Sequence, residues 1–244
     1  WLECARRWGE GRCAYGEMMS AYALVTQKIV AGNRKRDEHM IPPGFHAWVV
    51  VPAFPQGRQA WHELLGLIPK AMVRSVDRGN WLIYLNGPTE DTWGLIEVKS
   101  AHDPDSLQSV GLDFLWIMES QDIKEDAFLK VLPVLTSPGR MGLAIFEGIP
   151  SLYPEHWFHR GYAQAERTAG PGSTAFKFTV YDNPMLKPHE LAEVEDHKNY
   201  MTTAAWKRMY MAEFNASAGF FKRIDECIGC LLYTSPSPRD RTRS

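Results

Sequence analysis

The sequence has little of what marks a specialised environment. Its 244 residues include four cysteines, too few at this length for a disulfide scaffold, so a reducing compartment is expected. No apolar run nears the roughly 18 residues of a membrane-spanning helix, no signal peptide is recognisable, and no membrane partner is expected. An excess of one charge is missing too: 27 Lys and Arg against 29 Asp and Glu give a formal net charge of −2. That excludes a globally basic nucleic-acid binder but not a local basic patch. There is no internal repeat. What remains is an ordinary globular balance, 45% hydrophobic and 23% charged, sufficient for one α/β domain with or without a small subdomain.

Local patterns alternate between helix and strand. Residues 13–30 carry an amphipathic helix behind a glycine-containing turn. Residues 32–43 read as a charged loop with Arg34, Lys35 and Arg36 in a row; such a run is commonly a solvated face, and its functional reading is a contact to DNA phosphates. Residues 46–52 are a short apolar run, a buried strand. Residues 56–68 form a helix pattern stopped by Pro69. Strands over 81–85 and 93–98 flank a turn containing Asn86, Gly87 and Pro88. Further strands are expected at 112–118, 141–146 and 176–180, and helices at 122–132, 155–168, 188–199 and 203–215. This alternation predicts an α/β fold with a mostly parallel central sheet flanked by helices. Trp61, Trp116 and Trp206 are expected in the core.

Two short motifs could carry chemistry. The first is the turn before the first helix, Arg6, Arg7, Trp8, Gly9, Glu10, Gly11 and Arg12. A glycine-bearing turn at a helix N-terminus can hold phosphates on its backbone N–H groups. The second is Leu112-Asp113-Phe114-Leu115-Trp116-Ile117-Met118-Glu119. An apolar strand that ends in an acid can place a carboxylate against the hydrolytic water at the strand tip. Glu119 is the catalytic candidate. The structural alternatives are an ordinary basic turn and a core strand closed by a solvated acid. Among the other candidates, Cys227 and Cys230 offer two of the four ligands that structural zinc needs. His156 and His159 share a helix face without a third ligand, and are expected to be packing or surface residues.

A longer series adds context: Ser100-Ala101 followed by Pro104-Asp105-Ser106-Leu107-Gln108, the acidic strand tip, Gly148-Ile149-Pro150-Ser151, Asp182-Asn183-Pro184, and Ala212-Glu213-Phe214. In this order the motifs resemble the phage terminase large-subunit family, over about residues 1–229. The resemblance implies a RecA-like P-loop ATPase that drives double-stranded DNA into procapsids, with ATP and Mg²⁺ as cofactors. It implies a portal protein and a small terminase subunit as partners, a ring of copies during packaging, and a location in the host bacterial cytoplasm at the procapsid portal. On that reading residues 1–186 are an N-terminally truncated ATPase core. Residues 187–229 are a helical linker subdomain toward a missing nuclease domain, so no nuclease activity is expected. Residues 230–244 are a disordered, non-native tail. The strand ending at Glu119 is expected beside the strand that enters the 6–12 turn, since both tips must reach one triphosphate.

Several positions depart from the family pattern. Glu10 stands where the phosphate-binding Lys is expected, Gly11 where the Mg²⁺-binding hydroxyl is expected, and Met118 where an Asp precedes the glutamate. Gln108 replaces an arginine that in many members reaches a neighbouring subunit's nucleotide, and Ile149 replaces the Thr of a coupling turn. An acid 4 Å from one phosphate charge repels it by about 1 kcal/mol in water and about 4 at an effective dielectric of about 20. Arg6, Arg7 or Arg12 could offset this, because Arg binds phosphate well. The alternative is a catalytically impaired pseudo-ATPase acting as a DNA-binding or assembly module. A helicase would need a second RecA domain and helicase motifs, and neither is present in the sequence.

Overall fold

The structure is a computed structural model that describes residues 1–6, 8–34, 41–108, 110–168 and 172–214, with the side chain of Glu10 outside that description. The alternation read from the sequence becomes one eight-stranded sheet with helices on both faces. In chain order the elements are β1 (Leu2–Cys4), α1 (Glu10–Val30), β2 (His46–Val51), α2 (Phe54–Leu67), β3 (Val73–Asp77), β4 (Leu82–Leu85) and β5 (Gly94–Ser100). Then follow β6 (Phe114–Ile117), α3 (Glu125–Val131), β7 (Leu143–Gly148), α4 (Trp157–Thr168), β8 (Phe176–Phe178), α5 (Pro188–Asp196) and α6 (Thr203–Tyr210). The sheet order is β3-β4-β5-β2-β6-β7-β1-β8. The strands from β5 to β8 run parallel, and β3 and β4 add an antiparallel edge.

Side-chain alternation divides the core between the faces. Ala47, Val49 and Val51 of β2, with Phe114 and Trp116 of β6, meet α1 and α2. The helix α1 supplies Ala14, Met18, Ala21 and Val25, spaced to lie on one stripe. Trp48 and Val50, with Leu115 and Ile117, point to the other face, under α3 and α4. All six residues of β2 are therefore buried, which is why it reads as an unbroken apolar run. Trp61, Trp116 and Trp206 are all buried, as expected. A third, smaller cluster joins Val194 of α5 and Trp206 and Tyr210 of α6 to Ala5 and Val180.

Three differences from the sequence reading have clear causes. The strand β3 is not among the expected strands; it is an edge strand whose middle three residues are exposed, so it carries little apolar signal. The last helix stops at Tyr210 because Ala212 takes φ 47, a left-handed value that turns the chain out of helical geometry. The third difference corrects the expected neighbour relation. The strand of Glu119 does not lie beside the strand that enters the 6–12 turn, because β7 pairs with β6 on one edge and β1 on the other. Two strand spacings, about 10 Å, separate them. All three strands are parallel, so their carboxyl ends still open on the same edge.

Candidate active site at the carboxyl edge of the sheet

The turn after β1 is set by its backbone. Ala5 N–H donates to Phe178 O (2.8 Å) and Arg6 N–H to Met209 O (2.7 Å), which tie the turn to β8 and α6. Gly9 then takes φ 96, ψ 32 as the N-cap of α1, a left-handed conformation that glycine adopts without a Cβ penalty. The first turn of α1 follows, with its amide dipoles directed at the sheet edge. Gly9, Gly11 and the exposed Arg12 line a cleft of about 590 Å³ together with Met118 and Glu119 from the end of β6, Glu147 from β7, and Glu63 from α2. The two motifs are thus brought to one cavity although 107 positions separate Arg12 from Glu119 (119 − 12).

The remaining turn residues are placed differently. Arg6 is exposed on the turn. Trp8 stacks on Phe178 (centroids 4.0 Å apart, planes 13°), and lines a separate apolar cleft over β7, β1 and β8. Arg7 and the side chain of Glu10 lie outside the described residues.

Glu119 is held in an unusual backbone state. Its φ of 49 and ψ of 49 make it a left-handed non-glycine residue at the start of the 3-10 turn Ser120–Asp122, a conformation of the kind that clusters at functional sites. Gln121 Nε2 donates to its Oε2 at 2.6 Å. The other end of that amide presses on β7: a Cβ built on Gly148 would meet Gln121 Oε1 at 2.1 Å and Ser120 N at 3.1 Å. The tip of β6 and the tip of β7 are therefore interlocked through Gln121.

Sequence reasoning gave no role to Gln121 or Glu147. Glu147 is 2% exposed. An acid at the end of the apolar run Leu143–Gly148 is the same signal that identifies Glu119, but the expected strand ends at Phe146. A third carboxyl lies on β1 itself. Glu3, 3% exposed, has its pKa pushed up to about 8 by burial, with Lys177 opposing that effect and Glu166 adding to it. His159 Nδ1 of α4 lies 3.3 Å from Glu3 Oε1, and the imidazole stacks on Phe214.

The basic run of the 32–43 loop is partly withdrawn from the surface. Arg34 Nη2 pairs with Asp113 Oδ2 at 3.1 Å, and its side chain is 6% exposed. It is therefore not placed to meet DNA phosphates; Lys35 and Arg36 lie outside the described residues. Cys227 and Cys230 do as well.

Magnesium takes oxygen ligands in near-octahedral geometry. Here Gly11 has no hydroxyl, and the position before Glu119 is Met118, whose thioether is a poor partner for a hard cation. Neither of these two positions supplies the oxygen ligand that the resemblance implies for Mg²⁺; the carboxylates that line the cleft are Glu63, Glu119 and Glu147.

A mostly parallel sheet covered on both faces, entered by a strand–glycine turn–helix unit and carrying an acidic strand tip two strands away, has the RecA-like P-loop architecture. Solved structures narrow the likeness: the chain has the fold of phage large-terminase ATPase domains. It superposes on the large terminase ATPase domain of Thermus phage P74-26 with a TM-score of 0.63 at 16% identity, over 88% of this chain and 87% of that one. The large terminase of another thermophilic bacteriophage matches with a TM-score of 0.61 at 13% identity, over 87% of this chain and 47% of that one. For the large terminase of bacteriophage HK97 the values are 0.59 and 10%, over 87% and 46%. The chain thus spans a little under half the length of these last two proteins. The second of the three terminases has been solved with ATP-γ-S and with ADP. No protein-family model matches the sequence, and no curated protein matches it.

Proposed function

We propose that the chain is the ATPase motor domain of a phage terminase large subunit, which hydrolyses ATP to drive double-stranded DNA into procapsids. The observation that carries this reading is the convergence of the phosphate-type turn and the acidic strand tip on one cleft, in a chain with the terminase ATPase fold. ATP binding is supported by the thermophilic-phage large terminase seen with ATP-γ-S and ADP. The amides at the start of α1, with Arg6, Arg7 and Arg12, hold the phosphates. Glu119, oriented by Gln121, positions a water in line with the γ-phosphorus and accepts its proton as the Pγ–O bond to ADP breaks. On this reading the portal protein and a small terminase subunit are partners. A ring of copies works at the procapsid portal in the host bacterial cytoplasm.

A second reading, a pseudo-ATPase that binds DNA or assembles without turnover, is favoured by Glu10, Gly11 and Met118 at the positions of the Lys, the hydroxyl and the Asp. ATP affinity and turnover of the parent chain and two variants separate the two. Under the motor reading Glu119→Gln abolishes hydrolysis and keeps ATP binding, since the amide keeps the shape but cannot take the proton. Under the pseudo-ATPase reading the parent does not turn over, and Glu10→Lys tightens ATP binding by restoring a cation beside the phosphates. Unchanged turnover in Glu119→Gln would overturn the assignment of the catalytic residue.

A further inference from the structure

The helix α6 brings a second arginine to the same edge of the sheet. Arg6 N–H donates to Met209 O at 2.7 Å, so the phosphate turn and α6 are joined directly. One residue earlier, Arg208 Nη1 donates to Pro150 O at 3.0 Å, just beyond the end of β7. Ala5 shares the small core of Trp206 and Tyr210, which holds α6 against the carboxyl end of β1. Arg208 therefore spans the ends of β1 and β7; β7 lies next to the strand whose tip carries Glu119, and β1 lies one strand beyond it.

We propose that Arg208 and Arg6 form a two-arginine clamp for the terminal phosphate of the nucleotide, supplying within one subunit the positive charge that positions 10 and 108 do not provide. The clamp rests on the nucleotide reading above. Arg208 Nε is buried and has no hydrogen-bond partner. Neither Arg6 nor Arg208 makes an ion pair among the described residues. Burial lowers the pKa of Arg208, repulsion from Arg6 lowers it further, and Asp122 alone acts in the opposite direction. Two guanidinium groups brought to one edge of the sheet by the bond from Arg6 N–H to Met209 O suit a multiply charged anion. A phosphoryl group fits the donor fork of Arg, which presents five N–H groups, and Arg208 commits one of its terminal nitrogens to Pro150. On the nucleotide reading, the γ-phosphate is the group that lies over the tip where Glu119 acts. Arg208 is thus a further binding residue, contributed by the C-terminal helices.

The test is calorimetric titration of ATP, ADP and double-stranded DNA into the full chain. Arg208→Gln keeps a donor for Pro150 O and removes the charge. It should weaken ATP binding about ten- to hundred-fold, the range for losing a charge-assisted hydrogen bond, while ADP binding changes far less. Arg6→Gln, on the exposed turn, should act the same way, and the double variant should lose less than the product of the two single losses. Arg208→Lys should recover part of the affinity. Parental ATP affinity in Arg208→Gln overturns the clamp and leaves the nucleotide reading standing, as does loss of DNA binding with ATP binding unchanged. If Arg208→Gln does not fold, Arg6→Gln decides alone, and its parental ATP affinity overturns the clamp. A parent chain that binds no ATP overturns both readings.

Discussion

Asp113→Asn tests how the loop ahead of β2 is tied to the central strands. The Asp113 side chain is 0% exposed. Its Oδ2 accepts from the backbone N–H of His46 (3.0 Å), from Arg34 Nη2 (3.1 Å) and from Arg140 Nη1 (3.0 Å), and its Oδ1 accepts from Met141 N–H (3.0 Å). Arg140 also donates to Gly44 O and Pro42 O, so the carboxylate fastens the segment before β2 to the starts of β6 and β7. Asparagine keeps the shape, but one of its two terminal groups is a donor. With its oxygen facing the arginines, the Met141 N–H is left opposite an NH₂ group, at a cost of about 1–3 kcal/mol for an unmet buried donor. Both guanidinium groups also lose the negative charge they share, and breaking a buried ion pair costs about 3–5 kcal/mol in all. Against a total stability of roughly 5–15 kcal/mol, that is a large fraction. At about 2–4 °C per kcal/mol for a chain of this size, a loss of about 4 kcal/mol lowers the melting temperature by about 8–16 °C. Urea denaturation followed by tryptophan fluorescence measures it, as a shift of the midpoint at constant slope. A loss below about 1 kcal/mol, within the range of an exposed ion pair, would refute the argument.

Two further outcomes follow from the site. Gly148→Ala puts a methyl 2.1 Å from Gln121 Oε1, so the flexible amide must swing aside and release Glu119, at a stability cost below about 1 kcal/mol because a side-chain end and not backbone gives way. The variant should lose turnover much as Gln121→Ala does; parental turnover in Gly148→Ala would refute the role of the amide. Glu3 gives a pH dependence. Its carboxyl has a pKa of about 8 when folded against an ordinary 4.5, so between those values the folded chain holds a proton that the unfolded chain has released. That contribution is fully present below about pH 4.5 and is lost as pH rises through 8. Urea denaturation at pH 5 and pH 8 should show the fall in the parent and a flatter profile in Glu3→Gln; an unchanged profile in the variant would sink the assignment.

The sequence alone determined what local pattern can determine. The stripe of Ala14, Met18, Ala21 and Val25 specifies a helix with one buried face. The apolar run from His46 to Val51 specifies a strand covered on both sides. The turn around Gly9 and the acid at Glu119 were legible because each is a local signal, a glycine before a helix and a charge after an apolar run. The tertiary structure alone decided the rest. It inserted β7 between β6 and β1, a matter of which backbone edges pair and not of any residue within the strands. It buried Arg34 against Asp113, 79 positions away, although a run of three basic residues reads as a solvated loop. It brought Gln121 to Gly148, and Arg208 to Pro150 and to the turn of Arg6, through contacts between elements far apart in the chain. Periodicity and composition report the environment of each element, whereas the meeting of distant side chains depends on how the elements pack, and that is settled only when the whole core forms.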